Sequence, residues 1–233
     1  MVQAVNNSAM HTVRIKFKKV GNLQYISHLD LVRTMMKTVI RTKLPLWYTE
    51  GFNPKPKIVF AAPLSIGTES VCEFMDLRLT ERVDENEIKT RFNGNLAEDM
   101  QVTEVYYPVI PLTDLKWLSY TITVKTDGVC EELCKSVSDT LSQNEIKIVK
   151  KTKRGEAETD IRPMIKQADV SLVGEQIQIK CILSADNASY LNPEYIIKVL
   201  KQSCGILSNP DLTKEYYSIM RDFAYRNDMS EFT

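Results

Sequence analysis

The sequence has no long apolar run and is poor in cysteine and histidine, with five cysteines and two histidines among 233 residues. No window reaches the roughly 18 consecutive apolar residues of a membrane-spanning helix, and the opening residues lack the charged and apolar regions of a signal peptide. The odd number of cysteines forms no disulfide framework, and most lie in apolar or helical surroundings typical of reduced thiols. These absences predict a cytoplasmic protein without a membrane partner.

Nucleotide-binding and metal-binding motifs are also missing. The chain contains neither the GxxxxGK[ST] loop that cradles phosphates nor the GxGxxG loop of dinucleotide-binding domains. Cys130 and Cys134 lie four residues apart in a predicted helix, but no second pair of ligands follows them. We therefore expect these thiols to pack, and the sequence predicts no metal and no cofactor.

The charge of the chain is unevenly distributed. The 30 basic and 30 acidic side chains cancel overall, yet residues 11–60 contain ten of the basic residues and only two acids, a local charge of +8. The remaining residues carry 20 basic and 28 acidic side chains. Such a separation of charge favours anionic partners at one end of the molecule.

The first part of the chain predicts a split βαββαβ domain over residues 11–110. Alternating apolar and basic residues at 13–18 are typical of a strand buried on one face. Ser27, followed three residues later by Asp30, is a cap signal for a helix from about His28 to Thr42. Strands at 57–67, 71–81 and 100–109 and a helix at 83–96 complete the order of a ferredoxin-like domain, whose second sheet face we expect to be open.

A similar order of elements follows in residues 117–228. A strand at 118–126, a helix at about 128–142, strands near Val170 and at 175–184, a helix from Pro193 and a strand at 216–226 are predicted. The fold class is therefore α+β with two ferredoxin-like domains and antiparallel sheets, the second a possible duplication of the first. The basic run from Lys150 to Arg154 predicts either a phosphate-facing hairpin or a charged loop.

Basic side chains of the first domain are candidates for binding phosphates. The first strand would line its open face with three cations, and the first helix carries three more, one every four residues, on its outer face. Lysine and arginine release counterions when they bind phosphates, and nearby aromatic rings can stack on unpaired bases. A solvated surface is the alternative interpretation. These candidates are Arg14, Lys16, Lys18, Arg33, Lys37 and Arg41.

The loop from Glu50 to Lys57 combines two prolines with one glycine, so it can hold a fixed shape. It would present Asn53, Lys55 and Lys57 to an anion. A plain turn explains the prolines and the glycine but not the paired lysines.

His28 is a candidate general base because a helix N-terminus disfavours the protonated imidazole. The alternative is a purely structural histidine that forms a hydrogen bond with a nearby group.

The run YISHLDLVRTMMKTVIRTKLPLWYTEGFNPKPKIVFAAPLSIGTES, followed by EFMDLRLTE, closely resembles a bacterial radical-SAM-associated family of unknown function. Members of that family occur alone or fused behind a radical SAM protein, and KRGEAETDIRPMI resembles a later family segment. Lys55 stands where relatives often have a histidine. The positions that match the family pattern are Ser27, His28, Asp30, Arg33, Glu50, Gly51, Phe52, Asn53, Pro54 and Lys57.

The resemblance implies an accessory role, because the chain lacks the CxxxCxxC spacing that holds the radical SAM cluster. Genes of this family often lie beside RNA-processing and ribosomal genes, and this neighbourhood implies RNA as a partner. We therefore expect an RNA-binding accessory protein that presents tRNA or rRNA to a partner radical SAM modifying enzyme. The alternatives are an enzyme similar to ferredoxin-fold CRISPR endoribonucleases, with His28 as acid or base, and a protein-docking subunit without RNA contact. Whether the protein is an enzyme stays open here.

Overall fold

The computed structural model of the chain describes residues 10–152, 155–186, 188–211 and 213–233. These residues form two units, one that ends at Thr113 and also contains Thr233, and one that spans 114–232. Both units combine antiparallel strands with helices, which confirms the predicted α+β class. Within the described ranges, no helix is long and apolar enough to cross a bilayer.

The first unit is a four-stranded antiparallel sheet with two α-helices. Its sheet order is β4-β1-β3-β2, and each neighbouring pair of strands is antiparallel. A short 3-10 helix, Gly21–Tyr25, joins the first strand to the first helix. In chain order the elements are β1 (His11–Lys19), α1 (His28–Arg41), β2 (Ile58–Phe60), β3 (Thr68–Leu79), α2 (Glu85–Asn93) and β4 (Val102–Tyr106).

The alternating pattern of β1 determines the core of the first unit. Val13, Ile15 and Phe17 are fully buried and share a core cluster with residues of both helices. Each fully buried side chain of this size contributes roughly 1.5–3 kcal/mol to folding. The helical residues of the cluster are Leu31, Met35, Val39, Ile88 and Phe92.

The start of α1 is the one that the cap signal predicts. The Ser27 hydroxyl oxygen accepts a hydrogen bond from the Asp30 backbone N–H at 3.1 Å, and the hydroxyl donates to the Asp30 carboxylate at 2.7 Å. One free N–H of the first turn is thereby satisfied. Lys43, just after the helix, has a φ of 53°, so the chain turns away there.

The second face of this sheet is partly covered rather than open, contrary to the sequence-based expectation. Phe74, which lies opposite Lys16 on that face, is 3% exposed, and Arg14 is 0% exposed. Arg14 also donates a hydrogen bond to the carbonyl of Ile110 at 2.9 Å, so the segment after β4 lies against the face. Periodicity alone indicates which residues share a face, but not what later covers it.

The second unit repeats the strand order of the first. Its main sheet has the order β10-β5-β9-β8, again with antiparallel neighbours. The hairpin β6–β7 is a separate two-stranded sheet, and a short 3-10 helix, Arg162–Met164, follows it. The elements are β5 (Trp117–Lys125), α3 (Glu131–Leu141), β6 (Lys147–Thr152), β7 (Gly155–Asp160), β8 (Ile165–Val173), β9 (Gln176–Ser184), α4 (Glu194–Cys204) and β10 (Tyr216–Tyr225).

When the hairpin β6–β7 is set aside, the second unit has the same order of strands and helices along the chain as the first. In each unit the first strand lies between the last strand and the third. A phosphate-facing hairpin was one of the two structures predicted for the basic run near Lys150; β6–β7 is a hairpin, and its binding of phosphate stays a prediction. Lys153 and Arg154, at its turn, lie outside the described residues.

A buried carboxylate closes one end of the second unit. Glu215, which is 2% exposed, accepts hydrogen bonds from the Thr126 hydroxyl and from the backbone N–H groups of Asp127 and Asn209. These hydrogen bonds lower the pKa of the Glu215 carboxyl, the one from Thr126 most. Glu215 therefore joins the loop after β5 to the segment before β10.

Candidate anion-binding site

The three predicted cations of α1 lie on its exposed face, and we call them the α1 stripe: Arg33, Lys37 and Arg41. The buried positions of the helix are Leu31, Met35, Thr38 and Val39, which leaves the stripe facing water. Arg33 has a long contact of 3.4 Å with Asp30, and both side chains are more than half exposed. Such a surface pair contributes little energy, so the positive charge of Arg33 stays available.

Within the part of the chain that the structure describes, Lys37 and Arg41 have no ion pair. Asp30, which contacts Arg33, is therefore the acidic residue of α1 that pairs with the α1 stripe. The hydrogen bond from the Ser27 hydroxyl lowers the pKa of the Asp30 carboxyl. That carboxylate therefore stays charged and bound to Ser27 at the start of the helix. The stripe presents a net positive surface, as the charge count indicates; its binding of phosphate stays a prediction.

The loop after α1 is a hairpin that is anchored to β3. Thr49 and Lys55 pair through a backbone hydrogen bond of 2.9 Å, and Lys57 donates to the Trp47 carbonyl at 3.2 Å. Trp47 in turn donates to the carbonyl of Arg78 at 3.0 Å, and Arg78 donates to that of Lys57 at 3.2 Å. The base of the loop is thus hydrogen-bonded to the edge of the sheet.

The tip of this hairpin projects into solvent. Phe52 is fully exposed, and Gly51 beside it has a φ of 118°, a conformation that favours glycine. Glu50, Asn53, Pro54 and Lys55 are exposed as well. A fully exposed phenylalanine on an anchored turn is unusual, because burial of its ring would be favourable. The tip therefore offers an aromatic face and a cation together.

Two of the three cations of β1 are paired with carboxylates, and for Arg14 the prediction of a phosphate ligand is wrong. Its Nε and Nη2 atoms donate to the two carboxylate oxygens of Asp76 at 2.7 and 3.0 Å, and the side chain is fully buried. Lys16 pairs with Glu104 at 2.8 Å and its side chain is 16% exposed. Lys18 is half-buried. The carboxylates that pair with Arg14 and Lys16 come from β3 and β4, distant in sequence, and no local pattern reveals them.

A pocket of about 380 Å³ lies on the second face of the first unit, beside the base of the hairpin. Lys57 and Arg78 supply two cations, Asp76 and Thr12 supply polar groups, and Val59 and the segment 108–112 form an apolar wall. We call it the β2–β3 pocket.

The two cations of this pocket have no carboxylate partner among the described residues. The carboxylate of Asp76 is occupied by Arg14, and neither Lys57 nor Arg78 has an ion pair there. The Arg78 guanidinium lies 5.6 Å from the centre of the Trp47 ring, a cation–π contact that holds it at the pocket. Lys57 was predicted as an anion ligand; Arg78 was missed, although it lies two residues from Asp76 and therefore on the same face.

His28 lies away from these cations. Its exposed ring packs edge-on against Phe60 with a centroid distance of 5.6 Å, at the end of β2 opposite to the hairpin. Across the described ranges, the imidazole has no carboxylate or hydroxyl partner, and no group of metal ligands is present. The proposed catalytic role of His28 stays a prediction to which the geometry adds no second group.

Two solved structures were compared with the fold. The chain resembles one described as the crystal structure of a Cbf5-Nop10-Gar1 complex, with a TM-score of 0.50 and 10% identity over 91% of this chain and 48% of that chain. An unknown protein from Galdieria sulphuraria gives a TM-score of 0.25 and 8% identity over 91% and 99% of the two chains, too low to compare folds. The chain spans about half the length of the first structure, and that likeness shows the fold alone.

The sequence comparisons give the family. No curated protein matches this chain. A profile described as "Uncharacterized protein conserved in bacteria (DUF2344)" matches residues 12–193, which include the α1 stripe, the hairpin and every residue of the β2–β3 pocket. The match covers more than half of the chain, and the protein therefore belongs to the DUF2344 family of uncharacterized bacterial proteins.

Proposed function

We propose that the protein is a cytoplasmic RNA-binding accessory factor that presents tRNA or rRNA to a partner radical SAM modifying enzyme. The observation that carries the RNA part is the α1 stripe, three exposed cations on one helix face with Asp30 as the acid beside them. The partner enzyme comes from the sequence resemblance around YISHLDLVRT and TEGFNPKPK.

We also assign both units to the ferredoxin-like type and regard the second as a duplicate of the first. The shared βαββαβ order and the shared position of the first strand in each sheet support this assignment. The hairpin β6–β7 is then an insertion between the first helix and the second strand of the duplicate.

The spacing of the stripe suits a nucleic-acid backbone. Arg33 and Arg41 are eight residues apart, or about 12 Å along the helix axis, with Lys37 midway. Cations that neutralise phosphates release counterions, so affinity for RNA should fall steeply with salt. The hairpin tip adds Lys55 as a further cation and the Phe52 ring as a surface on which an unpaired base can stack.

The test is a salt titration of tRNA and rRNA-fragment binding by fluorescence anisotropy. The triple variant Arg33→Glu, Lys37→Glu, Arg41→Glu should bind far more weakly, and its slope of log K against log salt should be smaller by about one unit for each lost phosphate contact. The matched control is Lys135→Glu with Lys214→Glu, two exposed lysines of the second unit. Equal binding by the triple variant and the wild type would reject this role for the stripe.

A further inference from the structure

We infer that the β2–β3 pocket binds a phosphomonoester on a nucleoside-sized body, either a free nucleotide or the phosphorylated 5′ end of an RNA. The RNA-end form of this inference rests on the proposed function, whereas the free-nucleotide form is independent of it. The pocket volume of about 380 Å³ falls within the range of small-ligand sites.

The charge of the pocket favours a dianion. Lys57 and Arg78 bring two positive charges that no carboxylate neutralises within the described ranges. A phosphomonoester carries about 1.5–2 negative charges at neutral pH, whereas a carboxylate or an internal phosphodiester carries one. Arginine also donates two parallel hydrogen bonds to phosphate oxygens, which lysine complements as a point charge. The pair therefore matches a terminal phosphate better than an internal one.

Arg14 makes this arrangement possible although it does not line the pocket. Asp76 lies on the same strand face as Arg78, two residues away, where its carboxylate could otherwise neutralise the Arg78 guanidinium. Because Arg14 binds both carboxylate oxygens of Asp76, the negative charge of that carboxylate is already neutralised. Arg14 also donates to the Ile110 carbonyl and so fixes the apolar wall. We regard it as a positioning residue.

The rest of the pocket suits a nucleoside. The Thr12 hydroxyl and the 15% exposed Asp76 carboxylate are polar groups that can bind sugar hydroxyls. Val59 is 44% exposed and Val109 is 97% exposed, so two apolar side chains lie uncovered at the wall and can contact the flat face of a base.

The first measurement is a calorimetric titration with adenosine 5′-monophosphate and with adenosine. Wild type should bind the monophosphate at least about tenfold more tightly than adenosine, and Lys57→Gln or Arg78→Gln should each weaken it about ten- to a hundredfold. The triple variant of the α1 stripe, whose pocket is intact, should bind it like wild type. Val109→Glu places a negative charge at an exposed position of the rim, so it should weaken binding even if the other variants fold poorly.

The second measurement compares single-stranded RNAs of one sequence with a 5′-phosphate or a 5′-hydroxyl. A preference for the phosphate that Arg78→Gln removes, with weak binding of the free nucleotide, identifies the RNA end as the ligand. Tight monophosphate binding without that preference identifies a free nucleotide. If neither phosphate is preferred, or if all pocket variants bind like wild type, the inference is wrong. Loss of RNA binding in the stripe variant alone tests the proposed function separately.

Discussion

Arg14 and Asp76 form the ion pair on which the second face of the first sheet depends. Arg14→Met should destabilise the protein by about 3–5 kcal/mol, because it removes both guanidinium hydrogen bonds from the largely buried Asp76 carboxylate. The double variant Arg14→Met, Asp76→Leu should recover most of that loss, since both charges are then removed together. Urea unfolding of the three proteins measures this. A double variant that is as unstable as the single one would contradict this explanation, because the loss would then not come from an unpaired charge.

Glu215 gives a pH dependence whose sign can be worked out. Its pKa is lower in the folded state than in the unfolded chain, so its contribution to stability is present above the ordinary glutamate pKa and is lost as the pH falls through the folded value. Glu215→Gln should therefore be less stable than wild type at neutral pH, and the difference should shrink in acid.

The measurement is the urea midpoint of both proteins over a pH series. Glu98→Gln, at an exposed carboxylate of the first unit, is the matched control for loss of one charge. A Glu215→Gln deficit that persists unchanged into acid would contradict the assigned role of the carboxylate.

Single residues show where sequence reasoning succeeded and where it stopped. Ser27 was found as the cap because its partner Asp30 is three residues away, within the reach of local pattern. The exposure of the α1 stripe follows from helical periodicity in the same way. Arg14 was misjudged because its partner Asp76 is 62 residues distant in sequence.

At the level of elements, the hairpin from Trp47 to Lys57 carries a prediction. Phe52→Ala should leave the unfolding temperature unchanged, because the ring is fully exposed, but should weaken binding of single-stranded RNA by about 1–3 kcal/mol. Duplex RNA of the same length, whose bases are not available for stacking, should show little change. Anisotropy titrations with both RNAs measure the difference.

Phe223→Ala, at a half-exposed phenylalanine of β10 in the second unit, is the matched control and should bind like wild type. Equal loss of single-stranded and duplex binding in Phe52→Ala would mean that the tip does not stack on bases.

The elements themselves were largely predictable, and their pairing was less so. Periods of two and 3.6 residues, with caps and turns, locate the strands and helices of both units. The β2–β3 pocket depends on the pairing of β2 with β3 and on the return of segment 108–112 over the sheet face. Such long-range contacts have no local signature, which is why Lys57 was recognised without Arg78.

Across the whole molecule, charge separation matters more than net charge. The chain carries no net charge at neutral pH, so its net charge alone predicts no retention on a polyanionic matrix. We expect instead that heparin retains it at low salt, because the basic residues cluster within 11–60. The triple variant of the α1 stripe should elute much earlier on the same column, and Lys135→Glu with Lys214→Glu should not. Flow-through of the wild type would contradict this.

The repeated strand order has a consequence for stoichiometry. If the second unit is a duplicate of the first, as proposed, the chain began with two equivalent helix surfaces. On α3, which takes the place of α1 in the element order of the second unit, the exposed residues at this spacing are Glu131, Lys135 and Asp139, with a net charge of −1 where the α1 stripe carries +3. The second unit thus has the element order of the first but no basic stripe on its first helix. On the proposed function, we therefore expect one RNA molecule to bind per chain rather than two.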